Sequence, residues 1–98
     1  MVKATYNDVV LAESDEYQQV EGNIYFPPGS VNEDYFVEAE KTTTCPWKGE
    51  ASYYHIVVDE EQLDDAAWYY PDPSDDASHI EGYVAFYTDR ITVTKEES

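Results

Sequence analysis

Helical periodicity is missing from this chain, and that absence limits its possible folds. No stretch of about ten or more residues repeats its apolar side chains every 3.6 positions, as an amphipathic helix does. The chain instead contains short runs rich in Val, Ile, Tyr and Thr, separated by Gly, Pro, Asn and Asp. Such runs are typical of β-strands joined by tight turns. The sequence therefore predicts an all-β fold, either a meander, a curled sandwich or a small barrel.

The strand prediction is strongest over residues 52–58, where Tyr54, Ile56 and Val58 would lie on one face. The other face would carry Tyr53, His55 and Val57. Further strands are predicted over residues 2–6, 9–14, 17–20, 24–26, 41–44, 66–70, 83–87 and 91–94. With 98 residues, the chain is expected to form one domain over residues 1–98.

The turns of the predicted fold come from residues that tolerate left-handed backbone. Asn7 and Asp8 predict a two-residue hairpin turn, and residues 21–23 predict a second turn. Residues 88–89 are expected to join the last two strands as a pair, and the polar segment 59–65 is expected to lie outside the strands.

One short helical turn is predicted over residues 31–36. Ser30 and Glu33 have the Ser-x-x-Glu spacing of a capping box, in which each side chain bonds to the other's backbone.

The net charge of −17 arises from 22 acidic and 5 basic residues, and the acidic residues are spread along the whole chain. This distribution predicts a solvated acidic coat. Molar salt shortens the Debye length to about 3 Å and screens the repulsion within such a coat. The charge therefore predicts a halophilic protein of a high-salt cytoplasm, with an acidic surface for a basic partner as the alternative. Nucleic acid is not expected as a partner, since its phosphates would be repelled.

Several other classes of protein are disfavoured by composition. No apolar run approaches the roughly 20 residues of a membrane span, and the N-terminal residues lack the apolar segment of a secretory signal. These features predict a cytoplasmic protein with no membrane partner. Cys45 is the single cysteine, so no intrachain disulfide forms, and Cys45, His55 and His79 are too few for a closed zinc site. No metal or cofactor is predicted.

Lys48 is the first candidate ligand-binding residue. It is one of 5 basic residues and lies between Trp47 and Gly49. A cation in so acidic a chain can bind an anionic group, and a glycine lets the backbone approach a ligand closely. The alternative is a turn in which Trp47 packs in the core and Lys48 extends into solvent.

Aromatic side chains supply the remaining candidates. Trp68 and Tyr70 would share one face of a strand, and Tyr53 and Tyr54 lie in the strand before it. One set of rings would line a groove that stacks on a planar ligand; the alternative is that all of them fill the core. Arg90, just after the last predicted turn, is a second candidate cation.

Two further groups favour structural interpretations. Cys45 would be a nucleophile only beside a cation or a His, and no catalytic-cysteine signature surrounds it, so a buried thiol is favoured. Asp72, Asp75 and Asp76 lack the spacing of a Ca²⁺ loop, which favours a solvated loop.

Four motifs in order, at residues 22–28, 43–49, 66–71 and 82–87, resemble the family called domain of unknown function 427. The resemblance implies a compact fold of antiparallel coiled sheets with Mss4-like topology. Zinc-binding proteins of that class use paired cysteines, which this chain lacks, so a metal is not carried over.

The family also carries a nucleotidyltransferase label. That chemistry uses a Gly-Ser or Gly-Gly pair followed by two alternating acids that hold Mg²⁺. Gly29 and Ser30 are followed here by Glu38 and Glu40, but the spacing is too short and the order of helix and strand does not fit.

The favoured hypothesis is a binding module for a small anionic or planar ligand. Its predicted site residues are Trp47, Lys48, Tyr53, Tyr54, Trp68, Tyr70 and Arg90. The alternatives are an enzyme that uses Lys48, Cys45 or a tyrosine as acid or base, and a structural or protein-interaction domain.

The acidic coat predicts a salt-dependent stability. We expect the unfolding temperature to rise by at least about 5 °C from low-salt buffer to molar KCl, which corresponds to about 1 kcal/mol at this size. The physical reason is screening of the self-repulsion of 22 carboxylates. Circular dichroism at increasing KCl measures the change. Equal unfolding temperatures at low and molar KCl would contradict the halophilic interpretation.

Overall fold

The computed structural model describes residues 1–95, so the acidic pair Glu96 and Glu97 lies outside the described residues. Within this range there are nine strands and no α-helix, which confirms the predicted all-β class. The strands are β1 (Val2–Tyr6), β2 (Val9–Ser14), β3 (Gln18–Val20), β4 (Asn23–Tyr25), β5 (Phe36–Cys45), β6 (Gly49–Val58), β7 (Glu61–Tyr69), β8 (Val84–Phe86) and β9 (Thr92–Lys95).

The strands form three antiparallel sheets. Their orders are β2-β1-β9, β3-β4 and β5-β6-β7-β8. The Mss4-like topology implied by the family resemblance stays a prediction.

The four-stranded sheet, called the middle sheet below, packs on both faces. One face meets the β1–β2 hairpin around Leu11, Phe26 and Ile56. The other face packs against the 3-10 segment Asp75–Ile80, around Tyr25 and Ile80. The chain at the end of β4 continues the sheet beside β8, where Phe26 and Val84 exchange backbone hydrogen bonds. A strand covered on both sides must carry large apolar side chains at successive positions, and β6 and β7 do so with tyrosine, tryptophan and aliphatic residues. The middle sheet therefore presents aromatic rings to two separate cores.

Three hairpin turns use left-handed backbone at both central residues, the geometry of a type I′ turn. Asn7 and Asp8 have φ of 49° and 65°, and Glu21 and Gly22 have φ of 54° and 83°. These turns confirm the two turn predictions. The third turn, at Asp59 and Glu60, joins β6 to β7 with φ of 49° and 70°.

Two strand predictions are wrong. β9 pairs with β1 and not with β8, because the chain turns after Tyr87 and leaves the middle sheet. The polar segment predicted to lie outside the strands forms the first part of β7 from Glu61 onward. It is a strand because its backbone pairs with the end of β6 across the turn at Asp59 and Glu60.

The predicted helical turn is present only as 3-10 geometry. The segments are Pro28–Ser30, Glu33–Tyr35 and Asp75–Ile80. The capping box is wrong: Asn32 caps the second segment by accepting from the Asp34 amide at 3.4 Å, whereas the Ser30 hydroxyl donates to the Pro27 carbonyl at 2.7 Å. None of the helical segments within residues 1–95 has the length and apolar character that crossing a membrane requires.

Candidate functional site

A cavity of about 520 Å³ opens on the face of the middle sheet that carries Tyr53 and Trp68. It brings together four of the residues predicted from the sequence. Its lining residues are Asn23, Tyr25, Lys48, Tyr53, Trp68, Tyr70, Phe86, Tyr87, Thr88 and Asp89. The volume lies within the range of small-molecule sites, which is about 300–1,000 Å³.

Lys48 carries a buried charge. With 7% of its surface exposed, it is the only charged side chain that is buried among residues 1–95. Its ammonium forms an ion pair with Glu21, which lies in the turn between β3 and β4 and remains half-exposed. A buried charge needs such a partner, since desolvation of an unpaired ion costs several kcal/mol.

The ammonium of Lys48 is held in its charged form. Burial alone would lower the pKa of Lys48, but the hydrogen bond to Glu21 and the phenol groups of Tyr25 and Tyr70 outweigh burial and raise the pKa. The Lys48 ammonium also lies 5.5 Å from the centre of the Tyr70 ring. Lys48 is therefore suited to attract an anion and unsuited to act as a neutral nucleophile or base.

The alternative in which Trp47 is buried and Lys48 is exposed is wrong: Lys48 is buried and Trp47 is exposed. Trp47 is 41% exposed and does not line the cavity; its ring lies beside Lys48, 5.3 Å from the ammonium. The reason is that the loop before the 3-10 segment Asp75–Ile80 forms hydrogen bonds to the backbone of the turn at Trp47 and Lys48. The Ser74 amide donates to the Lys48 carbonyl at 2.9 Å, and the Ser74 hydroxyl donates to the Trp47 carbonyl.

Gly49 allows this turn to pack against the loop. Its φ is +110°, and an added Cβ would lie 3.4 Å from both the Pro73 Cα and the Ser74 nitrogen. Because glycine has no side chain, the backbone of Gly49 can contact that of Pro73 and Ser74, and this contact fixes the direction of Lys48.

Trp68 and Tyr87 form the aromatic wall of the cavity. Their ring centres are 4.7 Å apart at an angle of 52°. The Trp68 indole donates to the Tyr25 hydroxyl at 3.2 Å, and the Tyr53 ring stacks with Tyr87 at 6.4 Å. Because indole and phenol rings bind planar groups through their faces, this wall can stack on a planar ligand.

Two phenols of the cavity, those of Tyr70 and Tyr87, remain protonated at neutral pH. Burial raises the pKa of Tyr70 despite the neighbouring Lys48. Burial and the hydrogen bond to Tyr53 raise the pKa of Tyr87 to about 12. These hydroxyls therefore offer hydrogen bonds to a ligand and do not serve as general bases.

Arg90 holds the sheet rather than lining the cavity. Its guanidinium donates to the carbonyls of Asp64 and Asp65 at 2.7 and 3.1 Å. These carbonyls lie where the β6–β7 register shifts, and His55 accepts from the Asp65 amide there at 3.1 Å. Arg90 also lies over the Tyr87 ring, 5.6 Å from its centre, so it supports the wall from behind.

Tyr54 lies on the opposite face of the middle sheet from Tyr53. Alternate side chains of a strand point to opposite sides, so the two tyrosines cannot share one groove. Tyr54 stacks with Tyr69 at 4.6 Å and lines a separate cleft.

Sequence reasoning missed Glu21, Tyr25 and Tyr87. Tyr87 would have been found from the β7–β8 register, because Trp68 pairs with Ala85 and the second residue after Ala85 shares its face. No sequence pattern distinguished Glu21 as a site residue. It is one of 22 acidic residues, and it lies 27 positions from Lys48 in the sequence.

The fold and the site define a small all-β domain with an aromatic cavity that contains one buried ammonium. The chain belongs to the family described as domain of unknown function DUF427, whose model matches residues 1–97. A search of curated proteins finds no match.

Replacing Gly49 with alanine tests whether the packing of this turn against the loop requires glycine. We expect Gly49→Ala to lower the free energy of unfolding by more than about 1 kcal/mol, because a side chain is strained at this φ and meets backbone atoms. Urea unfolding measures the loss. Gly29→Ala is the matched control, since an added Cβ there meets nothing within 4 Å. An equal effect of the two substitutions would contradict this role of Gly49.

Proposed function

We propose that this protein is a binding domain for a small planar molecule that carries an anionic group. The ring system stacks on Trp68 and Tyr87, and the anionic group pairs with Lys48. The observation that carries the proposal is the position of Lys48: a chain with a net charge of −17 buries one charged side chain within residues 1–95, and that side chain is a cation in the wall of an aromatic cavity.

Glu21 indicates where the anionic group of the ligand binds. Its carboxylate already pairs with the Lys48 ammonium, yet the Glu21 side chain is 53% exposed and comes from a turn. A carboxylate of a ligand can replace that of Glu21, because the ammonium keeps one carboxylate partner and the displaced side chain returns to water. The ligand then gains a charge-assisted hydrogen bond, the stronger class of hydrogen bond in proteins.

The protonation states of the side chains that line the cavity favour binding over catalysis. The raised pKa values of Lys48, Tyr70 and Tyr87 keep all three groups protonated at neutral pH. Protonated groups donate hydrogen bonds and offer no base or neutral amine for a reaction. The nucleotidyltransferase alternative gains no support from Glu38, whose carboxylate accepts from Tyr69 on the other face of the sheet.

The proposal extends to the setting in which the protein acts. We place it in a cytoplasm of high salt, where the net charge of −17 is screened over a few ångströms. An anionic ligand then escapes the long-range repulsion of the acidic coat and retains its direct contact with Lys48.

Substitution of Lys48 tests the proposal directly. Probes are 2-naphthoate and its neutral counterpart 2-naphthamide, measured by quenching of tryptophan fluorescence in molar KCl. We expect the wild-type protein to prefer the carboxylate, and Lys48→Met to weaken its binding about tenfold or more, since a hydrogen bond to a charged group contributes about 1.5–3 kcal/mol. Binding of the amide should change little.

Glu21→Gln is the companion variant. It keeps an oxygen that can accept from Lys48 but removes the competing charge, so it should bind 2-naphthoate more tightly than the wild type. Lys48→Met should remain folded, because an apolar side chain replaces the buried ion and the Glu21 left behind is half-exposed. Glu21→Gln should lower the free energy of unfolding, because the buried ammonium loses its counter-charge, so circular dichroism must show that each variant is folded before binding is compared. Equal binding of carboxylate and amide by the wild type, or undiminished binding of the carboxylate by Lys48→Met, would contradict the proposal.

A further inference from the structure

A second cleft of about 810 Å³ lies on the opposite face of the middle sheet. It shares no lining residue with the cavity around Lys48. Its lining residues are Pro28, Val31, Glu33, Phe36, Glu38, Tyr54, Tyr69, Pro71, Glu81, Gly82 and Val84. None of these is Lys, Arg or His, so the charges that line this cleft are all negative.

Aromatic rings form part of its wall. Tyr54 and Tyr69 stack with ring centres 4.6 Å apart and an angle of 18° between their planes. Phe36 contacts Tyr54 edge-on at 5.4 Å. Tyr54 and Tyr69 are half-buried, so part of each ring lies at the surface of the cleft. The negative face of an aromatic ring attracts a cation, most strongly where water is partly excluded.

Carboxylates surround these rings. Tyr69 donates its hydroxyl hydrogen to Glu38, which holds that carboxylate beside the ring pair. Burial raises the pKa values of Tyr54 and Tyr69, and the Glu38 carboxylate adds to both effects, so the two phenols stay neutral. Glu33 and Glu81 complete an acidic rim.

The arrangement suits an organic cation better than a metal ion. Within residues 1–95, no set of three or more acidic, His or Cys side chains has the spacing of a metal site. A metal ion needs several oxygen ligands within about 2.6 Å. An alkylammonium ion carries its charge over a larger apolar surface and is bound by ring faces together with carboxylates at longer distance.

We propose that this cleft binds a small organic ammonium ion, with Tyr54 and Tyr69 contacting its alkyl groups and Glu38 balancing its charge. The proposal does not depend on the function of the Lys48 cavity, because the two sites share no residue and take ligands of opposite charge.

The test uses tetramethylammonium chloride as the probe and tert-butanol as its neutral counterpart of similar shape. Titrations run at constant ionic strength, with KCl replaced by the probe, because the acidic coat attracts any cation. Line broadening of the probe's methyl signal reports binding. We expect saturable binding of tetramethylammonium and none of tert-butanol.

Glu38→Gln should weaken tetramethylammonium binding about two- to fivefold, the contribution of an exposed ion pair, while its amide oxygen still accepts from Tyr69. Glu60→Gln is the matched control: it removes the same charge at the far end of the β6–β7 hairpin and should leave binding unchanged. A peptide that carries trimethyllysine should bind no more tightly than the free ion.

Each of four results would overturn the proposal. They are equal binding of tert-butanol, linear uptake of the cation without saturation, equal losses in Glu38→Gln and Glu60→Gln, and tighter binding of the trimethyllysine peptide. Circular dichroism spectra of both variants that match the wild type ensure that a loss reports on the cleft.

Discussion

The alternation of side chains along the β6–β7 hairpin determines how this protein is built. It directs Tyr53 and Trp68 to one face of the middle sheet and Tyr54 and Tyr69 to the other. Since outer strands and loops cover both faces, each set of rings is partly buried in its own core. A shift of the register by one residue would exchange the two faces and disrupt both cores. The positions of Tyr53, Trp68, Tyr54 and Tyr69 follow from this single pairing, whereas the other rings of the two sites come from neighbouring strands.

Charge distinguishes the two faces. The cavity around Trp68 is lined by the buried ammonium of Lys48 and by Asp89, whereas the charged residues that line the cleft around Tyr69 are all acidic, Glu33, Glu38 and Glu81. In a chain with 22 acidic residues the acidic cleft agrees with the overall charge, but the buried cation opposes it and requires Glu21 as a partner. On the two proposals, added salt would weaken binding of a cation to the cleft and favour binding of an anion in the cavity, because screening weakens the attraction of cations to the acidic coat and removes its repulsion of anions. A single small fold thus has one aromatic cavity whose lining includes a buried cation and one aromatic cleft lined by carboxylates without a cation.

Local sequence patterns predicted most of the strands. Contacts between residues distant in sequence could not be predicted from such patterns. Asn7 and Asp8 identified a hairpin turn because these residue types tolerate left-handed backbone, and the period of two placed Trp68 and Tyr70 on one face. The pairing of β9 with β1 left no local pattern, so the sequence favoured a hairpin that does not form. The burial of Lys48 was equally hidden, because it depends on Glu21 and on the loop at Ser74, both 26 or more positions away.

The most direct test of two chemically opposite sites is a map of backbone amide shifts in one isotope-labelled sample. The sample is titrated first with 2-naphthoate and then with tetramethylammonium at constant ionic strength. We expect two separate groups of shifted amides, one around Lys48, Trp68 and Tyr87 and the other around Glu38, Tyr54 and Tyr69. One common group for both probes, or small shifts spread over the whole surface, would contradict this expectation.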